Sequence, residues 1–70
     1  MQSTYYIYQN NELLSQPAQA TAQSIYALNK NCSLIEVIGQ NVFLFDRKYD
    51  EPVVCQDVQE AIYLSTLTKD

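Results

Sequence analysis

Hydrophobic and polar positions alternate over residues 4–9, with Tyr5 and Ile7 facing one way and Tyr6 and Tyr8 the other, as in a strand. Asn10 and Asn11 both tolerate positive φ and predict a tight hairpin turn. Glu12, Leu13 and Leu14 then return as a short second strand. Tyrosine suits such an edge hairpin, because its ring packs while its hydroxyl stays wet. The period changes after that. Pro17 fits the first turn of a helix, with Ser15 or Gln16 as cap. Ala18, Ala22, Ile25 and Leu28 fall on one helical stripe, small at its N-terminal end and so able to lie close against a sheet. Asn29 or Asn31 is placed to end this helix in the left-handed conformation.

The segments 33–38 (SLIEVI) and 42–46 (VFLFD) read as two strands joined through Gly39-Gln40-Asn41. A three-residue loop puts Ile35 and Val37 on one face with Phe43 and Phe45. Leu34, Ile38, Val42 and Leu44 then share the other face with Glu36 and Asp46. Both faces are largely apolar, so a second layer has to cover the face that the first helix leaves open. The charged turn DRKYDE (46–51) leads to Pro52 and a short strand at 53–55. Asp57 followed by Glu60 resembles a capping box. Val58, Ala61, Ile62 and Ser65 recur at helical spacing, with Leu64 and Leu67 alongside, and the resulting helix can take the second face. The expected fold is α+β in a single compact domain spanning 1–70. It has an antiparallel sheet of four or five short strands and helices at about 17–29 and 57–67.

A chain of 70 residues buries only about 60–65% of its unfolded surface, so a partner often completes the core of a fold this small. Hydrophobic residues make up 47% and charged residues 17%, a balance that argues against disorder. Apolar runs are too short for a membrane helix, and the N-terminus lacks the basic and hydrophobic regions of a secretory signal. The expected location is the cytoplasm. Cys32 and Cys55, in a chain with no histidine, read as free thiols in a reducing compartment, with a disulfide as the alternative. No standard zinc ligand set is available. A net charge of −4 argues against direct binding to a phosphate backbone and favours a basic partner surface or simple solubility.

Catalysis lacks its usual residues. There is no histidine to act as general base, and neither thiol has an activating neighbour in sequence. Gly39 is the only glycine, which excludes a phosphate-cradling loop, and 46–51 lacks the ligand alternation of a calcium loop. No cofactor is expected, and the chain reads as a non-enzyme. Six tyrosines without a tryptophan point instead to contact surfaces, where tyrosine is enriched. Tyr49 stands out, at the tip of a charged turn where no core packing calls for a ring. Asp46, Asp50, Glu51, Asp57 and Glu60 surround it in sequence against only Arg47 and Lys48. With Tyr6 and Tyr8 they form the expected partner-binding set, an acidic tyrosine-bearing surface that steers toward a basic groove. Four basic residues cannot build the electrostatic channel of a nucleic-acid stacking platform.

The Ala-rich helix AQATAQSIYALNK, the Cys32 that follows it and the hairpin ending in Val54-Cys55-Gln56 resemble small phage-encoded inhibitors, including some anti-CRISPR proteins. The resemblance covers most of the chain and rests on pattern. It implies a three- to five-stranded antiparallel sheet on one or two helices, and a function of blocking a host nucleic-acid-handling complex in the host cytoplasm. Members that grip their target through lysines and arginines have no counterpart here. An acidic member would act by charge mimicry or at another surface. The alternative is a small structural homo-oligomer, a dimer formed through an uncovered sheet face.

Overall fold

The structure, a computed structural model, describes residues 3–16 and 18–67. Five strands form one antiparallel sheet in the order β2-β1-β3-β4-β5, built from β1 (Ser3–Gln9), β2 (Glu12–Gln16), β3 (Ser33–Ile38), β4 (Asn41–Phe45) and β5 (Val53–Cys55). Helices α1 (Gln19–Leu28) and α2 (Val58–Thr66) complete the α+β fold. Asn10 and Asn11 close the first hairpin at φ 54° and 64°, as their side chains allow.

β3 occupies the centre because it is apolar on both faces. Leu34 and Ile35 point to opposite sides, and both are buried. On one side α1 lays Ala22, Ile25 and Tyr26 against Tyr5, Ile7, Leu34 and Cys32. On the other, α2 lays Val58, Ala61 and Ile62 against Ile35, Val42, Leu44 and Cys55. α1 spans β1, β2 and β3, whereas α2 spans β3, β4 and β5. The helices are therefore diagonal, each covering half of its own face. On the α1 side Tyr5 donates its hydroxyl to Glu36 at 2.9 Å, giving that carboxylate a partner on the cross-strand neighbour.

Four local expectations need correction. The loop at 39–41 has two residues: Val37 pairs with Val42 and Ile38 with Asn41, and Gly39 takes φ 60°. One residue fewer in the loop turns every β4 side chain over. Val42 and Leu44 thus join Ile35 and Val37 on the α2 face, while Phe43 and Phe45 share the α1 face with Leu34 and Glu36. Ser15 and Gln16 do not cap α1, since they pair with Tyr6 and Tyr5 in β2. Ala18 begins the helix with no side-chain cap, and Pro17 lies outside the described residues. Asn29 ends α1 in extended rather than left-handed backbone (φ −109°), with its side-chain amide donating to the Ile25 carbonyl at 3.0 Å. Asn31 is not left-handed either. Leu28 lies off the buried stripe, 83% exposed.

Candidate functional site

The turn between β4 and β5 is built by its own charges. Asp46 accepts from the Lys48 backbone N–H at 3.0 Å, from the Lys48 ammonium at 3.2 Å, and from the buried Ser33 hydroxyl at the start of β3. The Tyr49 N–H donates to the Asp46 carbonyl and closes the loop. Burial alone would raise the Asp46 carboxyl. The hydrogen bonds from Ser33 and Lys48, with the ammonium charge, outweigh it and hold the group below its ordinary value.

The two cations of this turn diverge. Arg47 donates to the Tyr26 and Asn29 carbonyls at the C-terminal end of α1, with its guanidinium 4.5 Å from the Tyr26 ring centre. Lys48 reaches the Ser65 carbonyl at the C-terminal end of α2 and lies 5.3 Å from the Tyr49 ring. Tyr49 adds a hydroxyl bond to the Leu64 carbonyl at 3.0 Å. Neither helix has a basic residue in its last turn, so one turn supplies the cations that both helix ends lack.

Tyr49 is therefore not an idle ring at a loop tip. It is half-buried in the α2-side core, which corrects the premise that no packing requires it. Beside it lies an open depression of about 140 Å³, lined by Tyr26, Phe45, Tyr49 and Pro52 together with Asp46, Asp50 and Glu51. The expected partner-binding residues thus separate into three groups. Asp46, Tyr49, Asp50 and Glu51 come together at the depression, where Asp50 and Glu51 are exposed. Asp57 and Glu60 sit at the other end of α2, whose nine residues span about 13 Å at 1.5 Å each. There they are engaged in capping: Asp57 accepts from the Glu60 N–H at 2.8 Å, and Glu60 accepts from the Gln56 N–H at 3.0 Å. Tyr6 and Tyr8 are half-buried against the α2-side core, away from the turn in sequence and in strand order.

The thiols lie in separate cores on opposite faces of the sheet, and both are free. Cys32 donates to the Asn29 carbonyl at 3.2 Å. Burial raises both thiols, opposed by Arg47 at Cys32 and reinforced by Glu60 and Asp57 at Cys55. Both are therefore protonated at neutral pH. Among the described residues no group of three or more Cys, Asp or Glu gathers as a metal site. No helix among them is long and apolar enough to cross a membrane.

No family model matches the chain, and neither the curated proteins nor the solved structures contain a match to it. Sequence reasoning missed Tyr26 as a neighbour of the acidic turn, and it missed the inward work of Arg47 and Lys48.

Proposed function

We propose that this protein is a non-enzymatic binding module that takes a basic protein surface at the 46–52 turn. In the fuller form of the proposal it is a phage or mobile-element inhibitor of a host nucleic-acid-handling complex. The observation that carries the reading is the disposal of the local cations. Arg47 and Lys48 are tied to helix carbonyls, while Asp50 and Glu51 stay exposed beside a partly aromatic depression. The turn offers an incoming lysine or arginine two carboxylates for its head and the Tyr26, Phe45 and Pro52 side chains for its aliphatic stem. Adjacent carboxylates on a rigid turn also imitate the spacing-tolerant negative charge that a nucleic-acid groove attracts. The rigidity comes from Asp46 and Tyr49, which anchor the turn to β3 and α2.

The test uses the whole chain as immobilised bait in a bacterial host lysate, beside the double variant Asp50→Lys/Glu51→Lys. The reading expects a retained nucleic-acid-handling protein that heparin releases. It also expects the double variant to lose that protein by about ten-fold or more, the equivalent of ~1.4 kcal/mol. Melting temperature stays unchanged, because both side chains are exposed. Equal retention by the two baits removes the turn from the interface. Retention that heparin does not disturb removes the charge mimicry.

A further inference from the structure

The two edges of the sheet are protected differently. β5 has only three residues, which blunts an edge. β2 has five residues, four of them exposed, and carries no lysine, proline or bulge. Its pairing with β1 starts at Gln9↔Glu12, directly across a two-residue turn with both residues at positive φ. In such a hairpin the residues flanking the turn form a hydrogen-bonded pair, and the bonding side then alternates. Glu12, Leu14 and Gln16 thus bond to β1, while Leu13 and Ser15 aim their N–H and C=O groups off the sheet, where no other strand lies among the described residues.

We infer that β2 pairs with β2 of a second copy across a two-fold axis at Leu14, giving a continuous ten-stranded sheet. Only this antiparallel register uses every outward group of the strand. Leu13 and Ser15 form hydrogen-bonded pairs with Ser15 and Leu13 of the other copy, and Leu14 meets Leu14 as the closer, non-bonded pair. It also places Glu12 opposite Gln16, so the strand's single charge never faces its own copy.

The surroundings of the seam agree. Of four cations and eight carboxylates in the chain, residues 1–29 hold Glu12 alone. α1, on the same face as Leu14, exposes Gln19, Ala20, Thr21, Gln23, Ser24 and Ala27 and has no charged residue. Depletion of charge marks the core of protein interfaces, and Glu12, at the end of the seam, is the single charge of β2 and α1 that self-pairing brings there. Because β2 and β4-β5 lie at opposite edges, the pair carries its two acidic depressions far apart. Two sites on a partner array can then be engaged at once.

Sedimentation of the whole chain over a concentration series tests this directly. A dimer is expected, and Leu14→Lys, which sets like charges face to face, is expected to weaken it by about 100-fold or more. A second measurement does not depend on that variant folding. Leu14→Cys should oxidise to a cross-linked dimer, because non-bonded antiparallel pairs hold Cβ atoms within about 4.5–5.5 Å, close to disulfide geometry. Glu12→Cys, facing Gln16, should not. A chain that sediments as a monomer at every concentration overturns the inference. So does a dimer that survives Leu14→Lys, or cross-linking no faster at position 14 than at 12. A monomer leaves the acidic turn proposal untouched, so the two ideas fail separately.

Discussion

The two halves of this small sheet are held by different physics. The β2-β1-α1 half is almost without charge and depends on apolar burial. Its helix starts at Ala18 with no side-chain cap, has no acid in its first turn and is anchored by Ala22, Ile25 and Tyr26. The β4-β5-α2 half is dense in side-chain hydrogen bonds: α2 brings Asp57 and Glu60 to its own start, and the 46–52 turn ties down its end. Arg47 joins the halves by reaching back to close α1. The carbonyl end of a helix can thus be completed by a residue two strands later, and charged groups concentrate where backbone ends need them.

The largest effects should come from the layer both halves share. Ile7 under α1 and Leu44 under α2 are each fully buried. Truncating either to alanine should cost about 2–5 kcal/mol, since each leaves a cavity in a close-packed layer. Denaturant unfolding checks both. If the Leu44 variant proves several-fold milder than the Ile7 variant, the hydrogen-bonded half relies on its polar contacts more than on its core, and the contrast between the halves becomes sharper.

The turn cations come next in size. Arg47→Ala should cost about 1 kcal/mol, and Lys48→Ala a similar amount, the usual worth of a charged donor at helix-end carbonyls that water can partly reach. Their signatures should differ by location. Amide exchange should quicken at Asn29 in the Arg47 variant and at Leu67 in the Lys48 variant, because each of these N–H groups donates in the last turn of its helix. Quickening at both sites in each variant would mean that the turn acts as one rigid bracket rather than as two independent caps.

How much of this was legible from the chain alone varies with the length over which each feature is decided. The order and type of every element follow from patterns within about ten residues: the alternation at 4–9, the helical stripe after Ala18, and the Asp57–Glu60 pair. The face assignment of β4 is not legible in this way. Gly39 supports a loop of two or three residues, and that single residue decides which side Phe43 and Leu44 face. Tyr49 looks idle in sequence because its partner, the Leu64 carbonyl, appears only when a helix that begins later folds back over the sheet. The grouping of Asp50 and Glu51 was visible, but the aromatic lining from Tyr26 and Phe45 was not, since it depends on two elements meeting at one end of the sheet. The charge-poor first 29 residues were readable from the start, yet they acquire meaning only once β2 is known to be an open edge.

The smallest effect distinguishes the halves by pH. The folded Asp46 carboxyl lies below its ordinary value because Ser33 and Lys48 donate to it more strongly than burial opposes its charge. A depressed carboxyl contributes stability above the unfolded-state value and loses it as pH falls through the folded one. Wild type should therefore exceed Asp46→Asn in stability at neutral pH, and the gap should close as the solution is acidified through the carboxyl range. Asparagine keeps an acceptor for Ser33 but has no charge for Lys48, so what closes is the charge-dependent part of the turn. Melting curves of the two proteins across that range, taken as a difference, cancel the other carboxylates. A gap that stays constant with pH would mean that Asp46 holds the turn by geometry alone. The polar half would then differ from the apolar half in wiring but not in its response to protons.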